Sequence, residues 1–188
     1  MESAHFTSGV AEDKSLKQIS PNAPGFSIQL AEDSDFENIF KIWTEGLSQS
    51  FEPNLIDEDR LRTKFEKIFK NRDGIFNYWV AKNDVGEILG WQSLNKCTVN
   101  PVKEDHFAES STYVKREYRK FGIGESLLKY MINTALESRL RYITAYINAE
   151  NKSIRKITQS LGFIEIGALP LNSKQSGRID KLFIIKPL

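Results

Sequence analysis

The chain has 188 residues, of which 40% are hydrophobic and 27% are charged, and its formal net charge is +1 at pH 7. This length supports one domain with a full core, and the composition is ordinary for a globular protein. Because the charge is near zero and no apolar run approaches the ~20 residues of a membrane span, neither nucleic acid nor a membrane is expected as a partner.

The first part of the chain divides into an arm and the start of a domain. Residues 1–25 are polar and rich in turn formers, which predicts an N-terminal extension ahead of one domain over residues 26–188. Residues 26–30 predict a first strand. Ser34 and Glu37 have the spacing of a capping box, which would open the first helix. Apolar residues at helical spacing follow at Phe36, Ile39, Phe40, Trp43 and Leu47.

The middle of the chain alternates between helical and extended patterns. A second helix is predicted with Leu61, Phe65, Ile68 and Phe69 facing the core. Two strands over residues 76–82 and 87–94 flank a turn of hairpin composition. A further strand over 107–115 should be central, because helices precede and follow this sheet.

The strand over 107–115 breaks the rule for a central strand. Such a strand is covered on both faces and should be mostly apolar, yet Glu109, Ser110, Ser111 and Thr112 are polar in succession. Polar groups on both faces are expected where a cleft opens to solvent or ligand. The alternative is an edge strand with one wet face.

A basic turn with two glycines follows, reading Arg-Lys-Phe-Gly-Ile-Gly over residues 119–124. Glycine permits positive φ and close approach of a ligand, and the N-terminus of the next helix attracts anions. Arg119 and Lys120 add positive charge, so the turn predicts a phosphate site. Glu125 follows where a P-loop needs Lys, and Leu127 stands where a dinucleotide motif needs its third glycine.

The remaining elements complete the predicted sheet. A helix after the turn, a strand over 142–148, a short helix over 151–161 and strands over 163–168 and 181–186 follow in order. This order predicts an α/β fold with a mixed sheet of about seven strands and helices on both faces.

Cysteine and histidine usage excludes two kinds of site. Cys97 is the only cysteine, so no intrachain disulfide forms, which favours a reducing compartment, and the cytoplasm is expected. No basic segment followed by an apolar core marks a secretory signal. His5 and His106 lie far apart in the sequence and form no ligand cluster, so no metal is predicted.

Three motifs together resemble the GCN5-related N-acetyltransferase (GNAT) superfamily. They are the R-x-x-G-x-G turn of residues 119–124, and Asn151 with Leu-Gly-Phe at 161–163, which is similar to N-x(9)-L-G-F. The run Ala-Glu-Ser-Ser-Thr-Tyr-Val at 108–114 resembles the phosphinothricin and methionine sulfoximine acetyltransferase branch. The resemblance covers roughly residues 26–188.

The resemblance implies a largely antiparallel acyl-CoA N-acyltransferase fold and acetyl-CoA as co-substrate. The pyrophosphate of the coenzyme would lie on the turn, and Asn151 would contact the pantetheine arm. The residues implied to bind the coenzyme are Tyr113, Val114, Arg119, Lys120, Phe121, Gly122, Ile123, Gly124, Glu125 and Asn151.

The resemblance also implies catalytic roles. Acetyl transfer to an amine requires a neutral amine, donors for the developing oxyanion and a stabilised leaving thiolate. Glu109 matches the branch's base and would deprotonate the amine, directly or through water. The alternative is that Glu109 only binds the substrate's ammonium group. A backbone N–H near Tyr113 and Val114 would stabilise the oxyanion.

The proton donor to the thiolate does not follow from the resemblance. Many relatives place a tyrosine, and the phosphinothricin branch a histidine, three residues before Leu-Gly-Phe, where this chain has Thr158. Tyr113, Tyr118 or water is then expected to protonate the thiolate, unless the thiolate leaves unprotonated. His106, just upstream of Glu109, is another candidate.

The acceptor is expected to be a small-molecule amine, such as an amino-acid-like compound. Ser50 and Phe51 lie in the loop that covers the acceptor site in this family, and His106 adjoins the polar strand. The run of residues 174–180 resembles the branch's K-x-x-G-x-x-D segment near the acceptor pocket, where Lys174 or Arg178 would bind a substrate carboxylate. An ordinary surface loop and a solvated hairpin are the alternatives for these residues. A protein N-terminus or lysine acceptor, or a non-catalytic acyl-CoA-sensing module, remains open, and a homodimer is compatible with the sequence.

Overall fold

A computed structural model describes residues 24–47, 57–98, 105–169 and 181–188. The strands are β1 (Ser27–Leu30), β2 (Tyr78–Lys82), β3 (Ile88–Lys96), β4 (Phe107–Val114), β5 (Tyr142–Asn148), β6 (Ile164–Ala168) and β7 (Lys181–Pro187). The helices are α1 (Phe36–Leu47), α2 (Glu58–Lys70), α3 (Ile123–Leu136) and α4 (Lys152–Ser160).

The seven strands of the described chain form one sheet in the order β1-β2-β3-β4-β5-β7-β6. Neighbouring strands pair antiparallel except β4 and β5, which run parallel. The predicted fold class, a mixed and largely antiparallel sheet with helices on both faces, is confirmed. The parallel pair lies at the centre of the sheet, where the polar strand was expected.

One face of the sheet is covered by α1 and α2 through an aromatic core. The Phe65 ring stacks on Trp43 with centroids 4.6 Å apart and meets Tyr78 and Trp91 at 5.9 and 6.1 Å. The indole N–H of Trp91 donates to the Ile39 carbonyl at 3.0 Å, so its one polar group is satisfied inside the core. These contacts fix α1 against β3, which borders β4.

The opposite face is covered by α3 and α4. Neighbouring residues of a strand point to opposite faces. Accordingly, Tyr78 packs with α1 and α2, whereas Trp79 packs with α3. Leu127 and Met131 of α3 are fully buried, and Ile154 of α4 packs against the same core. No helix in the described ranges is long and apolar enough to cross a membrane.

The start of α1 differs from its prediction. Ser34 and Glu37 do not form a capping box; instead, the Glu32 amide donates to Asp35 Oδ2 at 3.0 Å, across a 3-10 turn. Asp35 is buried and forms an ion pair with Lys82 at 2.8 Å. The capping box therefore joins Glu32, the N-cap residue, to Asp35, whose buried carboxylate needs such partners, and exposed Ser34 is not part of it.

Gly90 of β3 lies close against the backbone of β4. A Cβ at Gly90 would lie 2.7 Å from the Tyr113 carbonyl oxygen and 3.1 Å from Val114 Cα. We expect Gly90→Ala to lower the free energy of unfolding by about 1–3 kcal/mol, because backbone atoms must shift. Urea denaturation measures this change. Gly167→Ala in β6, where a Cβ meets nothing within 4 Å, is the control and should be nearly neutral.

Candidate functional site

The centre of the sheet opens because β4 and β5 separate. Their parallel pairing covers Phe107 to Glu109 on β4, whereas the pairing of β4 with β3 continues to Val114. Beyond this point, the edge of β4 that would face β5 has no partner strand among the described residues. A cleft between two strands is the result, at the place where the polar run predicted one.

The cleft has a volume of about 200 Å³ and lies between β4 and β5, with residues of α3 and α4 in its wall. Its lining residues are Glu109, Ser110, Ser111, Thr112, Tyr113, Leu128, Ala145, Tyr146, Ile147, Ile154, Thr158, Phe163, Lys181 and Ile184. Two predicted catalytic residues, Glu109 and Tyr113, thus share one cavity with Thr158. Aliphatic residues of α3, α4, β5 and β7 form the rest of its wall together with Tyr146, Phe163 and Lys181.

Alternation along β4 divides the cleft into two sides. The Tyr113 ring lies on the α1 face, where it stacks on Trp91 at 4.8 Å. Glu109 and Ser111 share this face by the period of two. Thr112 and Val114 lie on the α3 face, since a Cβ at Gly124 would meet their methyl groups at 3.9 and 3.5 Å. A ligand on the α3 side therefore reaches Glu109 through the sheet.

Backbone hydrogen bonding identifies which amides of β4 are free. The Lys115 amide donates to the Leu89 carbonyl at 2.9 Å, so the alternate residue Tyr113 also directs its N–H and C=O toward β3. The predicted oxyanion donor cannot be the Tyr113 amide, which is already in the ladder. Val114 and Thr112 direct their amides toward the gap, where no strand of the described residues pairs with them.

The turn after β4 has the features of an anion site, with one correction. Gly122 has φ +82° and caps α3, but Gly124 is not in the left-handed region; Lys120, at φ +71°, is the second such residue. The Ser126 amide makes the first helical bond, to the Gly122 carbonyl at 2.9 Å. Within the described ranges, the three preceding amides, of residues 123–125, have no acceptor, as expected for a helix start.

The side chains of the turn divide between packing and charge. Ile123 is buried in the core, so it offers a ligand only its amide. Phe121 packs on the same cluster. The Arg119 Nε donates to the Val114 carbonyl at 3.2 Å, which joins the turn to β4. Glu125 pairs with Lys129 at 3.0 Å, so its carboxylate is partly neutralised beside the proposed phosphate position.

Glu109 lies in a polar group on the α1 face. Asn95 is its partner in the β3–β4 register, and Asn95 Nδ2 donates to Ser93 Oγ at 3.0 Å. Burial raises the pKa of Tyr113, and the nearby Glu109 carboxylate adds to that effect. The Tyr113 phenol therefore stays protonated near neutral pH.

Cys97 lies within electrostatic reach of the same carboxylate. Burial is the main cause that raises the pKa of its thiol, and Glu109 raises the pKa further. The thiolate is the nucleophilic form of cysteine. Because the thiol remains protonated near neutral pH, the surroundings of Cys97 do not favour a covalent role.

The candidate proton donors differ in how they are held. The Thr158 hydroxyl donates to the Ile154 and Arg155 carbonyls of its own helix, at 2.9 and 3.1 Å. The Tyr118 hydroxyl donates to Glu87 Oε2 at 2.8 Å, and Tyr118 does not line the cleft. The prediction that named Tyr118 as a donor is therefore not supported by its position.

The other predicted site residues have separate outcomes. Asn151 caps α4, its side chain accepting from the Ile154 amide at 3.1 Å; its contact with the pantetheine arm stays a prediction. The His106 carbonyl accepts from the Tyr142 amide at 3.1 Å, and His106 is not among the residues that line the cleft. Predicted substrate residues Ser50, Phe51 and Lys174 lie outside the described residues.

Sequence reasoning missed several polar residues of the site. Gln92 and Ser93 of β3 are fully buried, and Asn95 lies opposite Glu109 in the β3–β4 register. The signal was present, because β3 carries adjacent polar residues as β4 does. Lys181, at the start of β7, lines the cleft, although the motif in this region directed attention to Lys174.

Comparison with known proteins identifies the family of the chain. A model of the acetyltransferase (GNAT) family matches residues 36–163. YwnH of Bacillus subtilis (strain 168), provisionally named a phosphinothricin acetyltransferase, is 26% identical over 164 residues, which are 85% of this chain and 96% of YwnH.

Solved structures share the fold. A ribosomal-protein-alanine N-acetyltransferase from Brucella melitensis has a TM-score of 0.71 at 29% identity, over 86% of this chain and 99% of that one. A phosphinothricin acetyltransferase from Sinorhizobium meliloti, solved with acetyl-CoA, has a TM-score of 0.71 at 24% identity, over 87% and 88% of the two chains.

Proposed function

This chain belongs to the acetyltransferase (GNAT) family, and from this premise we propose that it transfers the acetyl group of acetyl-CoA directly to the amine of a small, amino-acid-like acceptor. The resemblance read from the motifs, and the N-acetyltransferase class that it implied, are confirmed by the family match. The observation that carries the proposal is a cleft that contains Glu109. The cleft lies beside amides of β4 that no described strand pairs with. The turn of residues 119–124, which we call the phosphate turn, follows β4 in the sequence.

The residues present fit the coenzyme. The free amides at the start of α3 and the left-handed backbone at Gly122 form a cradle that a pyrophosphate matches in charge. The amides of Thr112 and Val114 would pair with the pantetheine arm or the thioester carbonyl. Acetyl-CoA supplies the activated acetyl group; the protein orients that group and moves the protons.

Glu109 is the proposed base. An aliphatic amine is mostly protonated at neutral pH and cannot attack a carbonyl until it loses a proton. Glu109 lies on the side of the cleft opposite α3 and α4, so an acceptor on that side meets a thioester held on the other. Asn95, opposite Glu109 in the register, would help to orient the carboxylate or the acceptor amine.

The oxyanion donor is assigned to Thr112, because Val114 lies five residues from Glu109 along a regular strand, about 16 Å at ~3.3 Å per residue, which is too far for both to act on one thioester. The Thr112 amide faces the gap between β4 and β5, where no strand of the described residues pairs with it. A preorganised N–H at this point stabilises the negative charge that develops on the carbonyl oxygen as the amine attacks. The transfer is direct, so no acyl-enzyme intermediate on Cys97 is required.

The acceptor class rests on similarity to proteins named for phosphinothricin, an amino-acid-like compound. Lys181 at the cleft would complement the carboxylate of such an acceptor. A protein N-terminus is the second candidate, favoured by the similarity to the Brucella melitensis enzyme named for a ribosomal-protein alanine.

An amine panel tests the proposed function. We expect the full chain to release free coenzyme A thiol from acetyl-CoA with amino acids or close analogues, and to release little with peptides that carry the same N-terminal residue. A thiol-reactive dye measures the release, with reactions lacking amine as background. Coenzyme binding without release for any amine would instead support the acyl-CoA-sensing alternative.

Two further predictions of the sequence remain proposals. We assign the catalytic domain to residues 26–188. The proposed N-terminal extension falls almost entirely on residues 1–23, which lie outside the described part of the chain. A homodimer is likewise a prediction, which light scattering on the full chain tests.

A further inference from the structure

A buried amide joins β3 to the cleft-lining side of β4. Gln92 is fully buried, and its Nε2 donates to the Ser93 carbonyl at 2.9 Å and to Ser110 Oγ at 2.8 Å. Its Oε1 accepts from the Thr112 hydroxyl. The Ser93 carbonyl can only accept, so the amide orientation is determined by its partners.

This orientation sets the direction of the Ser110 hydroxyl. A hydroxyl has one proton to donate, and Ser110 Oγ uses a lone pair to accept from Gln92. The Ser110 proton must therefore point elsewhere. No acceptor for it exists in the described part of the chain, although Ser110 is only 6% exposed and lines the cleft. A buried donor without an acceptor is rare in folded proteins and needs a partner from outside the chain, which is an ordered water or a ligand atom.

We propose that Ser110 Oγ donates a hydrogen bond to the coenzyme sulfur as the thiolate leaves, and that Gln92 is the positioning residue that turns the Ser110 proton into the cleft. This inference rests on the proposed function and deepens it. It also names a group that stabilises the leaving thiolate in a chain that has Thr158 where relatives have a tyrosine or a histidine.

The neighbouring Thr158 cannot take this role. Its one proton is engaged by the Ile154 and Arg155 carbonyls, so toward the cleft it presents lone pairs and a methyl group. Lone pairs repel a developing thiolate, whereas the Ser110 proton attracts it. Two hydroxyls of the same cavity thus have opposite polarity because their partners differ.

The proposed step balances as follows. The amine nitrogen forms a bond to the acetyl carbon, and the carbon–sulfur bond then breaks with its electron pair on sulfur. The protons lost by the amine pass to Glu109 and from there to solvent. The thiolate leaves unprotonated, held by the hydrogen bond from Ser110, and takes a proton from solvent on release. Ser110 keeps its own proton throughout.

Substitution of the two hydroxyls separates their roles. Ser110→Ala removes a hydrogen bond to a charged group and should therefore lower kcat about ten- to hundredfold. The KM for acetyl-CoA should change less. Thr158→Val removes the hydroxyl that is compared with Ser110, at nearly equal volume, and should lower kcat less than about threefold. The double variant Ser110→Ala/Gln92→Met, which removes both partners of the bond, should lose no more than Ser110→Ala, and it covers the case in which the single variant folds poorly.

A second readout does not require turnover. The ultraviolet absorbance of the thiolate gives the pKa of the thiol in bound coenzyme A, and Ser110→Ala should raise that pKa by about one unit or more if the hydrogen bond is lost. An unchanged thiol pKa together with an unchanged kcat in Ser110→Ala, or an equal loss in Thr158→Val, would overturn the assignment of Ser110.

The same measurements distinguish failure of the inference from failure of the proposed function. A wild-type chain that binds coenzyme A but acetylates no amine contradicts the proposed function, while its thiol titration still tests Ser110. A wild-type chain that does not bind coenzyme A contradicts both. Wild-type turnover with an unaffected Ser110→Ala variant contradicts only the inference.

Discussion

Glu109→Gln should lower kcat near neutral pH by about 100- to 10,000-fold, the range that a positioned base contributes. The substitution keeps the size of the side chain and removes its ability to take a proton. Acetyl-CoA affinity should stay within about twofold, because the phosphate turn and the free amides of β4 are untouched. Steady-state kinetics with a saturating acceptor, and calorimetric titration of acetyl-CoA, measure the two quantities.

The pH profile of the same variant separates the two roles of the carboxylate. If Glu109 is the base, the deficit should shrink as the pH rises toward the acceptor's own pKa, about 8 for an α-amino group, because the amine then arrives neutral. If Glu109 only binds the ammonium group, Glu109→Gln should raise KM for the acceptor and leave kcat largely intact.

A matched control is available on α3. Glu137 is exposed just past the end of α3, so Glu137→Gln removes a carboxylate without altering the cleft. Its kinetics should match those of the wild type. Full activity of Glu109→Gln at neutral pH would show that Glu109 is not the base.

The elements of the fold were predictable because their hydrophobic periods are strong. The stripe that includes Phe36 and Phe40 gave α1, and short runs of strand-forming residues placed β2 and β5 within a few residues. The cleft was predictable for the opposite reason. Four polar residues in succession at the centre of a sheet are costly unless a ligand or solvent reaches them, and the separation of β4 from β5 meets that condition.

Partners across strands were not predictable, because they depend on register and on which group is buried. The predicted cap at Ser34 was wrong because buried Asp35 needed both an amide and Lys82. The proposal of Thr112 rather than Tyr113 as the oxyanion donor required the direction of each amide. Gln92 donates to the Ser110 hydroxyl and so directs its proton away from Gln92, and this contact between two strands does not follow from the spacing of residues along the chain.

Gly122→Val should weaken acetyl-CoA binding by about tenfold or more, because its Cβ would occupy the space where a phosphate approaches the backbone. The protein leaves that space open: a Cβ at Gly122 meets nothing within 4 Å. The backbone there is left-handed, however, so the variant should also lose about 1–3 kcal/mol of stability. The strain must therefore be separated from the loss of the site.

Gly86 makes that separation possible. Its φ is +81°, against +82° at Gly122, and a Cβ there also meets nothing within 4 Å, but it lies in the turn between β2 and β3. Gly86→Val should be destabilised as much as Gly122→Val in thermal unfolding, yet bind acetyl-CoA like the wild type. S-acetylpantetheine, which lacks the pyrophosphate, should show the same KM with Gly122→Val as with the wild type. If Gly122→Val keeps its full affinity for acetyl-CoA, the pyrophosphate does not lie on this turn.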